Sequence, residues 1–198
     1  MAFFTGKGDQ GTTKLFDSGR ASKDGARHDS AESGQRVSKS SPVFETLGML
    51  DELNSLVGWC RVVAPRELKA GGRIVSDILL DVQDHLFTLQ AEVAGAQKTI
   101  SQKSVDGMNL LINEIEKSLP EVKTFLLPGG TEFSARLDIA RAVSRRAERR
   151  LITLHESGER VISEGSRTYA NRLSSLFYAL VRLENHRAGI SERPPQYL

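Results

Sequence analysis

Residues 125–150 read FLLPGGTEFSARLDIARAVSRRAERR. An apolar lead-in, Phe125-Leu126-Leu127, runs into Pro128-Gly129-Gly130, where proline fixes φ and two glycines open conformations that other residues avoid, so a turn is predicted. Thr131 is a candidate cap, and the residues after it have helical periodicity with no Gly or Pro for several turns. On that helix Arg141, Arg145 and Glu148 stand four and three residues apart and share a face, with Arg149 at its edge. Val143, Ala147, Leu151 and Leu154 project from the opposite side as a core stripe, and Arg146 and Arg150 fall near the apolar border. So many guanidinium groups on so few turns need neutralising. Either a polyphosphate does this through forked, charge-assisted hydrogen bonds, or the face is solvated and pairs locally with glutamates.

Outward from this stretch the pattern stays helical. A helix is predicted from about Phe44 to Val63, with Leu47, Leu50, Leu53, Asn54, Val57 and Arg61 recurring near 3.6-residue spacing and Asp51-Glu52 inside it; Pro65 ends it. A second runs from about Gly72 to Ala96, with Ile74, Ile78, Leu79, Val82, Leu86, Leu89 and Val93 facing the core. A third spans about Val105–Leu119 and a fifth about Glu164–Ala188, the Arg-rich helix being the fourth. No strand pattern is convincing beyond the first few residues. Five amphipathic helices with short links predict an all-α five-helix bundle in a ferritin-like up-down arrangement. No Glu-x-x-His pair occurs, which argues against a di-iron bundle, and His85 reads as a lone polar-face or interface residue.

The N-terminus is different. Residues 1–16, MAFFTGKGDQGTTKLF, alternate Gly6, Gly8 and Gly11 with Thr5, Lys7, Thr12, Thr13 and Lys14. Glycines let backbone N–H groups close on a phosphate, while hydroxyls and lysines add donors and charge. It is not a Walker A loop, since the Gly-Lys-Ser/Thr ending is missing. Residues 17–42 are polar, and SGRASK (18–23) is nearly repeated as SGQRVSK (33–39), so one copy reads as an insertion.

With 198 residues the chain suffices for one domain with its own core. The expected division is a nucleotide-binding loop with insertion (1–43), a bundle (44–188) and a tail (189–198). A net charge of +2 argues against a general nucleic-acid binder. The lone Cys60 excludes an internal disulfide and a Cys-rich zinc site, fits a reducing compartment, and is expected to be buried. No run approaches a membrane span, and no targeting segment is expected before the Thr5 motif. A cytoplasmic location follows as an expectation.

Six pieces coincide in order: Thr5-x-x-Gly8-Asp9-x-Gly11-x-Thr13, Arg36-Val37-Ser38-Lys39, Gly48-x-x-Asp51-Glu52-Leu53-Asn54-Ser55, Phe125 to Gly130, Ala140-Arg141-x-x-x-Arg145-Arg146-Ala147-Glu148-Arg149, and Tyr169-x-Asn171-Arg172-Leu173-Ser174. Together they resemble the ATP:cob(I)alamin adenosyltransferases of the propanediol-utilisation type, across nearly the whole chain. The resemblance implies a trimer of five-helix bundles with sites between subunits, transferring the 5′-deoxyadenosyl group of ATP to the cobalt of cob(I)alamin or a related corrinoid and releasing triphosphate. It implies ATP contacts from Thr5, Gly6, Lys7, Gly8, Thr13, Lys14, Lys39, Arg145, Arg146, Glu148, Arg149 and Asn171, with Mg²⁺ on the phosphates and no residues assigned as metal ligands. It implies an intersubunit pair of Asp51 and Arg141, and Phe125 closing the lower face of the corrin. A corrinoid reductase and an adenosylcobalamin-dependent enzyme are the implied partners.

Two departures stand out. Ser175 occupies the position where the family usually has an acid. Counting from Gly11 selects Lys23 for the nucleotide lysine, whereas counting back from Gly48 selects Lys39, the preferred choice because it abuts the next match without a gap. Two other classes of function stay open: a carrier that delivers adenosylcobalamin, and a bundle whose basic face binds nucleic acid.

Overall fold

The computed structural model describes residues 6–15 and 36–197. In chain order the elements are β1 (Thr12–Lys14), β2 (Arg36–Ser38), α1 (Pro42–Val63), β3 (Lys69–Ala70), β4 (Arg73–Ile74), α2 (Val75–Ala94), α3 (Gln102–Lys117), α4 (Glu132–Glu156) and α5 (Glu164–Arg187). Thr5, Lys23 and most of the near-repeated segment lie outside the described residues.

The all-α expectation holds. α4 is central, flanked by α1 and α5; α2 packs on α1, and α3 on α5. Directions follow from the bonds between helices. Glu45 with Arg150 and Glu52 with Arg146 make α1 and α4 antiparallel. Asn171 with Glu148 and Asn185 with Gly129 do the same for α5 and α4. Gln83 reaching the Asn54 carbonyl sets α2 against α1, and Arg172 on Asn109 with Arg182 on Pro120 aligns α3 parallel to α5. The result is an up-down-up-down-up bundle.

Its core is the predicted stripes. Val143, Ala147, Leu151 and Leu154 of α4 are all buried, as are Leu50, Leu53, Val57 and Cys60 of α1 and Leu173, Leu176, Phe177 and Leu180 of α5. Thr131 caps α4 by accepting the Ser134 N–H, and Ser101 and Ser163 do likewise for α3 and α5. Tyr169, fully buried, shares a 3.0 Å hydrogen bond with Nδ1 of His85, so that histidine closes α2 onto α5. Burial raises the Cys60 thiol pKa from 9.0 to about 11.

Three expectations are corrected. Two small antiparallel hairpins exist, β1–β2 and β3–β4, too short for alternation to reveal. In the second, Lys69 pairs Ile74 and Ala70 pairs Arg73, leaving Gly71-Gly72 as a two-residue turn with φ of 54° and 74°. α2 therefore starts at Val75, not Gly72, and Ile74 is partly exposed on the hairpin instead of in the core. α3 begins three residues earlier than its apolar pattern, at Gln102, because Ser101 supplies the cap.

Candidate functional site

The exposed face of α4 carries Arg141, Arg145 and Arg149, and each is placed differently. Arg141 donates from Nε to Oδ1 of Asp138 at 3.0 Å. Asp138 is buried, and its other oxygen accepts the Gly129 N–H at 3.1 Å. One carboxylate thus joins the Pro-Gly-Gly turn to the Arg face. Arg149 donates to the Arg145 carbonyl one turn back. Arg145 itself is exposed and has no side-chain partner among the described residues.

The border arginines pair locally. Arg146 donates through Nη2 to both oxygens of Glu52, at 2.8 and 2.9 Å, and Arg150 lies 3.5 Å from Glu45. Local Arg–Glu pairing therefore describes Arg146 and Arg150, but not Arg145.

On the α5 side, Asn171 donates from Nδ2 to Oε1 of Glu148 at 2.6 Å, and its carbonyl oxygen accepts from Arg172, whose Nε is held by Asn109. Glu148 and Asn171 come together as one polar unit.

A groove of about 1370 Å³ runs along this side of the molecule. Arg141 and Arg145 line it, together with Phe125, Tyr178, Ser175 and Tyr197. Phe125 is 79% exposed, an expensive arrangement for a phenyl ring unless something covers it. The groove exceeds the usual range for drug-sized ligands, roughly 300–1,000 Å³.

The glycine-rich loop is joined through β1 and β2 to the start of α1. Gly6 and Gly11 have φ of 67° and 73°. The loop folds through Asp9 N–H to Gly6 O and Gly11 N–H to Gly8 O, then Lys39 N–H to Gly11 O. β1 and β2 pair Thr12 with Ser38 and Lys14 with Arg36. This register sets Lys39 over the loop: its Nζ would lie 3.1 Å from a Cβ on Gly8. Arg36 staples the loop by donating to the Thr12 hydroxyl, the Thr12 carbonyl and the Lys7 carbonyl.

Of the predicted site residues, Gly6, Lys7, Gly8, Thr13, Lys14 and Lys39 belong to the loop and its β1–β2 ladder. Arg145, Glu148, Arg149 and Asn171 belong to the α4–α5 side, with Phe125 in the same groove as Arg145. Asp51 is exposed on α1 and is not bonded to Arg141 within the chain. Sequence reasoning misses Arg36 and Asp138. Arg36 stands within one of the six motifs, and Asp138 is three residues before Arg141, a helical pairing distance that could flag it. Among the described residues, no group of three or more His, Cys, Asp or Glu side chains could hold a metal ion, and no helix is long and apolar enough to cross a membrane.

Comparison with known proteins adds the family. Residues 28–184 match the model for cobalamin adenosyltransferase. The chain is 35% identical to the corrinoid adenosyltransferase PduO of Citrobacter freundii over 195 residues, 95% of this chain but 51% of that protein. It therefore spans about half the length of that relative. With the corrinoid adenosyltransferase of Bacillus subtilis it shares 34% identity over 97% of this chain and 91% of that one. In structure it is similar to a phenylalanine-to-alanine variant of a PduO-type ATP:corrinoid adenosyltransferase from Lactobacillus reuteri, complexed with cobalamin and ATP. The TM-score is 0.81, with 25% identity and 99% and 100% of the two chains covered. An arginine-to-lysine variant from the same organism, complexed with ATP, gives a TM-score of 0.79 with 26% identity, covering 98% and 99%. By the family model and by these relatives alike, the chain belongs to the cobalamin adenosyltransferase family.

Proposed function

We propose that this protein transfers the 5′-deoxyadenosyl group of ATP to the cobalt of a reduced corrinoid, forming an adenosylcorrinoid and releasing triphosphate. The observation that carries the reading is that an exposed Phe125 and an Arg145 unpaired among the described residues line the same groove. An apolar ring and a free guanidinium in one cleft suit a substrate pair that is a macrocycle and a polyphosphate.

The chemistry needs little from the protein beyond placement. The Co(I) electron pair forms the Co–C5′ bond as the C5′–O bond breaks, and that bond's electrons leave on the triphosphate. Charge therefore grows on the leaving group, where Arg145, Arg149, Lys39 and the loop amides at Gly6, Lys7 and Gly8 stabilise it. Thr5, Thr13, Lys14 and Asn171 complete the nucleotide contacts, with Asn171 holding Glu148 in place, while Arg146 stays on Glu52. Mg²⁺ arrives with the phosphates. With a carboxylate such as Glu148 beside the phosphates, it would offset their charge. Phe125 keeps water and any donor from the lower face of the corrin, which eases reduction to Co(I).

The reading needs a second copy of the chain to complete the site. A homotrimer with Asp51 of one copy meeting Arg141 of the next fits that need, and accounts for an Asp51 that does not meet Arg141 within its own chain. A cytoplasmic location and service to a corrinoid reductase and an adenosylcobalamin-dependent enzyme complete the reading.

Anaerobic mixing with chemically reduced cob(I)alamin, Mg²⁺ and ATP tests it. The visible spectrum is expected to become that of adenosylcobalamin, with triphosphate released in equal amount. Corrinoid binding without conversion would instead favour a carrier.

A further inference from the structure

The segment that carries Phe125 has no regular structure between Pro120 and Gly130, so something other than a backbone ladder must hold it. Its two ends are held from α5. Arg182 donates from Nη2 to the Pro120 carbonyl at 3.1 Å, and Asn185 donates from Nδ2 to the Gly129 carbonyl at 3.0 Å. Both side chains are buried. Both also meet one carboxylate. Glu192, in the tail beyond α5, accepts from Nε of Arg182 at 2.6 Å and from Nδ2 of Asn185 at 3.1 Å. One residue further on, the Arg193 carbonyl accepts the Leu127 N–H at 2.8 Å. Gly130 belongs to the same device: a Cβ there would lie 2.1 Å from Oδ1 of Asn185.

We propose that Glu192 is the positioning residue of the corrinoid groove: its carboxylate fixes Arg182 and Asn185, and through them both ends of the segment that presents Phe125. The proposal rests on the adenosyl-transfer reading for the identity of the ligand. A charge-assisted bond to a largely desolvated guanidinium is the strong kind, and one acceptor shared by two donors makes the two ends of the segment move together. Glu192 also lines the groove, as does Tyr197, so the tail forms part of the wall it braces.

The test uses the full chain with Glu192→Ala and Glu192→Gln. Alanine removes both bonds. Glutamine can accept only one of the two donors, because its own amide N–H groups oppose the other. In the protein without ligand, Leu127 amide exchange is expected to quicken about tenfold in Glu192→Ala and less in Glu192→Gln. With saturating MgATP, cob(II)alamin affinity should fall about tenfold in the same order, while the KM for ATP stays within about twofold. Unchanged Leu127 exchange with unchanged cob(II)alamin affinity would overturn the proposal. So would an equal loss of ATP and corrinoid affinity, which is the signature of general unfolding. If the wild-type protein binds cob(II)alamin but never forms adenosylcobalamin, the transfer reading fails while the positioning role is still read from affinity. A wild-type protein that binds no corrinoid sinks both.

Discussion

Arg145 and Arg146 are adjacent in sequence and opposite in circumstance: Arg146 is forked onto Glu52, whereas Arg145 faces the groove with no partner among the described residues. The surface pair is worth about 0.2–1 kcal/mol. Arg145→Ala is therefore expected to lower kcat/KM by about 10²–10³ with an unchanged melting curve. Arg146→Ala should cost less activity and a little stability. Steady-state kinetics and thermal melts on both variants check this, and equal activity losses would show that Arg146 leaves Glu52 to bind nucleotide.

Phe125→Ala should leave the fold intact, because the ring is largely exposed. The expected loss is in corrinoid reduction, roughly tenfold or more, with ATP affinity unchanged. Following Co(II) to Co(I) conversion separately from ATP binding decides it; an effect on ATP alone would remove Phe125 from the lower face.

Lys39→Ala should raise the KM for ATP more than Lys23→Ala does. The β1–β2 register brings Lys39 over Gly8, where a lysine would meet a phosphate held by the loop amides. The reverse order in ATP titrations would shift the nucleotide lysine to residue 23.

Gly130→Ala is expected to destabilise the protein by about 2 kcal/mol or more. Its φ of 137° disfavours any side chain, and the new methyl would overlap Asn185 and approach Ser134 Oγ to 2.9 Å. Gly129→Ala meets only the backbone penalty, since nothing lies within 4 Å of its Cβ position. Chemical denaturation of the two variants should rank them in that order.

Cys60 sets an alkaline limit. Its folded pKa, about 11, lies above the ordinary 9.0, so the folded state holds a proton that the unfolded state releases. Stability from this source is complete below about pH 9 and is lost as pH rises towards 11, by about 2 kcal/mol. Burial raises the Tyr169 phenol as well, adding to the same trend. Denaturation midpoints at pH 8 and 10.5 should differ more for the wild type than for Cys60→Ala. Thiol reagents should label Cys60 only on unfolding.

Much of this was legible in the sequence because helices write their packing at 3.6-residue intervals: the α4 stripe through Val143, Ala147, Leu151 and Leu154 could be read off and is buried. The Arg145 face was legible for the same reason. What could not be read depends on residues far apart in the chain. Glu52 chooses Arg146 over Arg145 only because α1 and α4 run antiparallel at that register. The link from Glu192 to Arg182 and Asn185 needs the tail to turn back on α5. The β3–β4 hairpin is not legible because two-residue strands have no period, and its Gly71-Gly72 signal sits where the helical pattern begins.

The pairing of Lys14 with Arg36 has a genetic consequence. It closes the chain on either side of residues 16–35, so the positions of Thr13 and Lys39 are set by β1 and β2 and not by how many residues lie between them. Closing a longer connection costs only about 0.6 kcal/mol per doubling. A gene that gains or loses codons between β1 and β2 is therefore expected to leave the shape of the glycine-rich loop unchanged.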